Sequence, residues 1–539
     1  MCADVNNILK AMRLTVVLAA QLSMALNLNG AAAGPAKKRV GVPAFPEDCV
    51  LSLTFKSKVD GSFQRFLARL PKGYTTSRSW PLLVTLHGLR DGPILAPDIK
   101  SMVQIGPYGR GSVWFTGIGR EDVFECIQKT REFFSIDEDR IYLCGFSMGG
   151  AATFKLGLSY PDMWAACVPV CGRCDEPELL ENGRDVAFWV NTGGKDKILS
   201  PEHSQTAFCR ASALGFSKWR YTEHKEMGHS FDIDWKQVEH WLLATHKARN
   251  PKRVTFCTKT LQSNRAYWVE VTGIKQYGKT ARIDVAIEGQ NVSVSTRNVS
   301  NYTLRLNNNL IDLTREVKIT ENGTGVFQGI ADSNGCFVKN RSEAELVKRP
   351  GLSGPLWDIY TSSCALVYGT DTREPSLVEA AKRCAESFAN PHWMDAVHFK
   401  IVPDTAVNKQ ILEANNIVLF GNVNTNRVLA EISDKLPIEM NGKSVIANAT
   451  EYHGEHIGYI LIFPNPLNPG KYAAVFAGST PASVNCFDKI WPSFRATPRC
   501  IDFGVFDLDT DGGTVRWLAM GLFGTDWDWQ SFEQQASGH

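Results

Sequence analysis

An excess of either charge sign is what this sequence most plainly lacks. Its 58 lysines and arginines stand against 56 aspartates and glutamates, a net of +2 over 539 residues. Such a balance gives no field to gather nucleic acid or acidic polymers, so no nucleic-acid partner is expected. Low-complexity tracts and internal repeats are also missing. With hydrophobic residues at 44% and aromatics at 10%, wholesale disorder is excluded. Beyond residue 28 no run approaches the roughly 18 apolar residues of a membrane span. The 14 cysteines show no metal-binding spacing. Cys171-Gly-Arg-Cys174 is a lone CxxC without two further ligands nearby, and reads as a bridge or two plain thiols.

What is present starts with a leader. Lys10 and Arg13 precede the apolar run from Leu14 to Leu28, and Ala31-Ala32-Ala33 follows. A basic head, an apolar middle and a small-residue exit describe a signal peptide over residues 1–33. The expected location is therefore secreted or periplasmic, with no membrane contact after cleavage. An anchor helix fits less well, because Gln21, Ser23 and Asn27 interrupt a stretch already short for a bilayer of ~30 Å.

At roughly 150 residues per domain, the length suggests about three or four domains. Over residues 45–250 compact apolar runs alternate with helical stretches. The runs are Trp80–His87, Arg140–Gly145, Trp164–Cys171, Val186–Thr192 and Lys218–His224; the helical stretches are Arg120–Phe134, Gly149–Ser159, Ser200–Leu214 and Asp234–His246. This alternation predicts an α/β domain with a mostly parallel sheet covered on both faces. Over residues 251–348 the period changes to two, as in Ala281–Ile287, which predicts an antiparallel, β-sandwich-like domain. After the Pro- and Gly-rich linker at Arg349–Pro355, residues 356–539 read as a second α/β domain, with a helix over Ser483–Ile490.

The chemistry lies in Gly145-Phe146-Ser147-Met148-Gly149-Gly150, which directly follows a strand and directly precedes a helix. A turn that tight needs glycines two residues to either side of the serine, and it lifts the hydroxyl to the carboxyl edge of the sheet. A serine hydroxyl needs a base, and the base needs an orienting carboxylate. The strand ending at Thr192 runs into Gly193-Gly194-Lys195-Asp196, and the strand ending at His224 leads to Gly228-His229. The predicted catalytic set is Ser147, Asp196 and His229. Asp175 is the alternative acid, while His224, His203 and His240 read as structural or surface residues. The oxyanion calls for two backbone N–H groups. They are assigned to Met148 and to Leu89 in the loop after His87, with Gly88 as runner-up and His87 as a brace for that loop. No metal or cofactor is expected.

These residues closely resemble the α/β-hydrolase superfamily. Within it they look like the branch of feruloyl and acetylxylan esterases, polyhydroxybutyrate-depolymerase-like enzymes and prolyl-oligopeptidase-type hydrolases. The likeness covers about residues 45–250. It rests on Leu86-His87-Gly88, Ile118–Val123, Asp137–Gly150, Asp196 and Gly228-His229. It implies an acyl-enzyme on Ser147, with His229 as base then acid, acting on an ester substrate, a polymeric one included. Leu89-Arg90-Asp91 departs from the glycines common after His-Gly in this branch. A peptidase of the prolyl-oligopeptidase type is the second reading. It is disfavoured because the size-screening propeller expected before such a domain has no room behind the leader. A polymer-binding protein with a vestigial hydrolase domain is the third.

Tyr108, Trp114, Phe115 and Phe231 are candidates for a substrate wall or for plain core. Trp527 and Trp529 are candidates for sugar stacking or for capping the last core. Asp507, Asp509 and Asp511 mimic half of a calcium loop, but the twelfth position is Leu518, so an acidic turn between strands is expected.

Overall fold

In the computed structural model, residues 49–332, 334–339, 346–389, 397–487, 501–509 and 514–530 are described. The leader over 1–33 lies outside them. Among the described residues no helix is long and apolar enough to cross a membrane.

The first unit is built on eight strands: β1 (Val50–Lys56), β2 (Phe63–Arg69), β3 (Trp80–Leu86), β4 (Val103–Pro107), β5 (Ile136–Phe146), β6 (Ala166–Val170), β7 (Ala187–Gly193) and β8 (Trp219–His224). Their order is β1-β2-β4-β3-β5-β6-β7-β8. The β1–β2 and β2–β4 pairs are antiparallel, and every pair from β4 to β8 is parallel. Four helices pack on this sheet: α1 (Ile118–Phe133), α2 (Met148–Ser159), α3 (Pro201–Ala213) and α4 (Trp235–Leu243).

Strand geometry sends successive side chains to opposite faces, and the cores divide accordingly. Leu82, Val84, Leu86, Ile141 and Leu143 join one apolar cluster with Val123 and Ile127 of α1 and Phe154 of α2. Leu83, Tyr142 and Cys144, their immediate neighbours, join another with Val238, Trp241 and Leu242 of α4. Both faces are thus covered, so β3 reads as an apolar run broken only by Thr85, with every residue buried.

Residues 253–339 form a four-stranded and a five-stranded sheet around one core that includes Val271, Val285, Tyr302 and Ile319. One pair, Asn291–Arg297 with Glu316–Glu321, is parallel, where pure antiparallel pairing was expected. Residues 364–521 supply a seven-stranded mixed sheet. Cys364–Tyr368, Lys400–Pro403, Asn416–Gly421 and Asn468–Gly478 run parallel within it. Its outer strands Phe503–Leu508 and Val515–Gly521 pair antiparallel across the acidic turn, whose Asp511 and Gly512 lie outside the described residues. Asp507 is buried and accepts the His456 N–H at 3.0 Å. Trp527 packs on Phe463 at 5.6 Å and Trp529 on Phe503 at 4.8 Å, so these rings serve the core. The helix expected at Ser483–Ile490 spans Pro481–Asn485, capped by Thr480, and residues 488–490 lie outside the described set.

The last unit packs on the first, since its apolar cluster takes in Val59, Val113 and Ile118. Beside that seam the fully buried Arg110 bridges Asp60 at 2.8 Å and Asp122 at 2.6 Å, while Asp60 also accepts the His398 N–H at 2.9 Å.

Candidate active site

Ser147 occupies the single residue between β5 and α2, with φ 56° and ψ −113°. That region costs a non-glycine residue about 1–3 kcal/mol, so its surroundings must hold it there. They do so through clearance. A Cβ at position 145 would stand 2.3 Å from the Gly149 carbonyl oxygen. At 149 it would stand 2.2 Å from that of Leu86, and at 150 it would stand 2.5 Å from that of Val170. Backbone blocks all three, so only glycine fits, and α2 can start against the ends of β3 and β6. The Ser147 N–H donates to Val170 O at 2.9 Å, locking the turn to β6.

Ser147 does not cap its own helix. Its Oγ lies 2.8 Å from His229 Nε2, and His229 Nδ1 lies 2.7 Å from Asp196 Oδ2. The other Asp196 oxygen accepts the N–H groups of Ile198 at 2.8 Å and Leu199 at 3.0 Å. The acid and base loops are tied to one another. Lys195 N–H donates to Met227 O at 2.8 Å, and a Cβ at Gly193 would fall 2.0 Å from Gly228 O. Burial pushes the Asp196 carboxyl up, but the bonds from His229, Leu199 and Ile198 outweigh it and hold the group below its ordinary value. An ionised Asp196 makes Nδ1 the protonated nitrogen, which leaves the Nε2 lone pair facing the Ser147 hydroxyl. The His229 ring leans on Phe146, with centroids 5.3 Å apart, and its side chain stays 15% exposed, so the well opens to solvent at the imidazole.

This strand order, with the serine lifted out between β5 and α2, decides the architecture. The first unit has an α/β-hydrolase fold.

Around this well the other expected residues fall as follows. Met148 is the first residue of α2, where an N–H has no partner inside the helix. Leu89 lies in the turn closed by the Asp91 N–H on Gly88 O at 3.3 Å, with its side chain 46% exposed. His87 is buried and braces this loop, reaching the carbonyls of Gly88 at 2.7 Å and Tyr108 at 2.9 Å. Phe115 is core, edge-on to His87 at 5.1 Å. Tyr108, Trp114 and Phe231 are half-buried. A pocket of about 60 Å³ along α2 is lined by Trp114, Thr116, Ala151, Lys155, Leu158 and Arg173, and by none of Ser147, Asp196 and His229.

The rival residues stand elsewhere. His224 bonds to Asn191 at 3.2 Å and leans, tilted, on Phe231 at 4.5 Å, and burial lowers its pKa. Asp175 pairs with Arg173 at 2.6 Å. His203 and His240 lie on α3 and α4.

Sequence reasoning missed one neighbour of the well. Cys171, just past β6, is 1% exposed, and burial pushes its thiol up to about 12. Cys171 and Cys174 are both free thiols. The available signal was that Cys171 follows β6, the strand beside β7, at whose end the acid sits.

No family model and no curated protein matches this chain. Among solved structures it is similar to a thermostable esterase at 25% identity, covering 37% of this chain and 63% of that one, with a TM-score of 0.32. It therefore spans less than two thirds of that esterase's length. A CE1 ferulic acid esterase from Anaeromyces mucronatus, in complex with ferulic acid, is 16% identical over 39% of this chain and 96% of the other, TM-score 0.31. The S-formylglutathione hydrolase of Staphylococcus aureus is 16% identical over 37% and 98%, TM-score 0.31.

Proposed function

We propose that this protein is a serine carboxylic-ester hydrolase that works through an acyl-enzyme on Ser147. The observation that carries this reading is the unbroken hydrogen-bonded chain from Asp196 through His229 to Ser147, at 2.7 and 2.8 Å, over the N-terminus of a helix. In the first half-reaction Ser147 Oγ attacks the ester carbonyl carbon as His229 Nε2 takes its proton. The carbonyl electron pair moves onto oxygen, where the N–H groups of Met148 and Leu89, with Gly88 in reserve, meet the charge. One such donor is worth about 10²–10³ in rate. The tetrahedral centre then expels the alcohol, which receives its proton from His229. Water repeats the sequence on the acyl-enzyme, with His229 again as base. Asp196 keeps Nδ1 protonated throughout and stabilises the imidazolium.

On this reading residues 45–250 are catalytic, and residues 251–348 and 356–539 are accessory domains. The residue 1–33 leader supports export. The half-buried rings of Tyr108, Trp114 and Phe231 suit short or aromatic acyl groups, as in esters of plant polysaccharides and phenolics or related polyesters.

Ser147→Ala is expected to abolish hydrolysis of p-nitrophenyl acetate while the thermal melt stays unchanged; turnover retained by that variant refutes the nucleophile. Wild-type rates on methyl ferulate, acetylated xylan and polyester film then sort the substrate. Faster cleavage of peptide p-nitroanilides than of acyl esters would make the protein a peptidase.

A further inference from the structure

Among the described residues, three metal-ligating side chains of different chemistry meet at one point. Cys171 Sγ, an Asp196 carboxylate oxygen and a His229 ring nitrogen all lie within 4.8 Å of one another. The cause is topological. The Cys171 N–H donates to Asn191 O of β7 at 2.9 Å, and β7 runs on to Asp196, so the thiol is held beside the acid–base pair. The sulfur hydrogen-bonds to Asp196 but takes part in no proton transfer of ester hydrolysis.

We propose that Cys171, Asp196 and His229 form an inhibitory site for a thiophilic divalent cation, zinc above all. One thiolate, one imidazole and one carboxylate, with water as fourth ligand, are a donor set suited to zinc, whereas magnesium and calcium take oxygen. Zinc–ligand lengths of about 2.3 Å to sulfur and about 2.0–2.1 Å to nitrogen and oxygen put tetrahedral donors about 3.3–3.6 Å apart. The 2.7 Å Nδ1–Oδ2 contact therefore opens by roughly 0.6 Å, with the sulfur already within 4.8 Å of both. The ion enters where His229 is exposed, because Cys171 and Asp196 are sealed behind it.

The proton balance explains the inhibition. Cys171 gives its thiol proton to solvent. The cation takes the Nδ1 lone pair, so the one proton of the neutral imidazole moves to Nε2. Nε2 then faces Ser147 as a donor and no longer accepts the hydroxyl proton. Cation binding stands on the three side chains alone. The loss of rate rests on the hydrolase reading above.

Two measurements separate these. Cadmium added to the Ser147→Ala protein, which needs no activity, is expected to raise an ultraviolet thiolate–cadmium charge-transfer band of one site that is missing from the Ser147→Ala, Cys171→Ser protein. With wild-type protein, zinc is expected to suppress p-nitrophenyl acetate hydrolysis and EDTA to restore it. Cys171→Ser and Cys171→Ala, each scored against its own zinc-free rate, should need about 10–100-fold more zinc. An equal cadmium band with and without Cys171 overturns the site, as does equal zinc sensitivity in all three proteins. If Ser147→Ala hydrolyses esters, the hydrolase reading fails, and the cadmium titration still decides the site.

Discussion

Replacing Asp196 by Asn changes one atom and should nearly silence the enzyme. In the wild type, Oδ1 accepts two backbone N–H groups, from Ile198 and Leu199, and Oδ2 faces His229 Nδ1 at 2.7 Å. An asparagine has one oxygen to offer. Turning it toward His229 takes the acceptor from two part-buried amides, at about 0.5–1.5 kcal/mol each. The oxygen therefore stays on the amides and the NH₂ group faces Nδ1. Nδ1 must then accept, the ring proton shifts to Nε2, and Nε2 points a proton at Ser147. A base held in the wrong tautomer loses about 10⁴ in kcat, roughly 5 kcal/mol of barrier. Steady-state hydrolysis of p-nitrophenyl acetate at neutral pH measures this. Asp175→Asn serves as the control and should stay within about twofold of wild type, because Asp175 pairs with Arg173 whereas His229 pairs with Asp196. A loss below about tenfold for Asp196→Asn, or a larger loss for Asp175→Asn, refutes the assignment of the acid.

Three further outcomes are expected. Gly149→Ala drives a Cβ to 2.2 Å from the Leu86 carbonyl oxygen, so α2 must shift; activity should collapse and the melt fall by about 1–3 kcal/mol, and a wild-type rate would show the elbow to be looser than drawn. Arg110→Ala leaves Asp60 and Asp122 buried without their cation, which should cost about 3–5 kcal/mol in the first denaturant transition; a change below about 1 kcal/mol would make the bridge dispensable. His224→Phe should keep the rate within about threefold, since His224 contacts Asn191 and Phe231 rather than Ser147, and a hundredfold loss would move the base from His229 to His224.

What could be read ahead of the fold was whatever depends on neighbours in the chain. The clearance at Gly145 is a local demand of a tight turn, and Gly149 and Gly150, though cleared against β3 and β6, follow within five residues, so the elbow is visible as a string of letters. β3 is visible because both faces are covered and only Thr85 interrupts its apolar run. β1, β2 and β4 are harder to see. β1 and β2 are half-exposed with charges at Lys56, Arg65 and Arg69, and β4 is five residues ending in Gly106-Pro107. The small helix at Pro481 starts two residues earlier than expected, because Thr480 and Ser483 form a reciprocal cap with proline at the first position. Long-range contacts left no local trace. Arg110 stands in Gly-Arg-Gly and reads as a solvated loop until the fold brings Asp60 and Asp122 to it. Trp527 and Trp529 read as caps on the last core, with sugar stacking as the alternative, and Phe463 and Phe503 are found against them.

The most direct test of the central claim is reaction with a fluorophosphonate probe, followed by intact-mass and peptide mass spectrometry. The account predicts a single adduct, on Ser147, that forms at least about 10³-fold more slowly in His229→Ala. An adduct on any other residue, or labelling of Ser147 at the same rate without the imidazole, would contradict it.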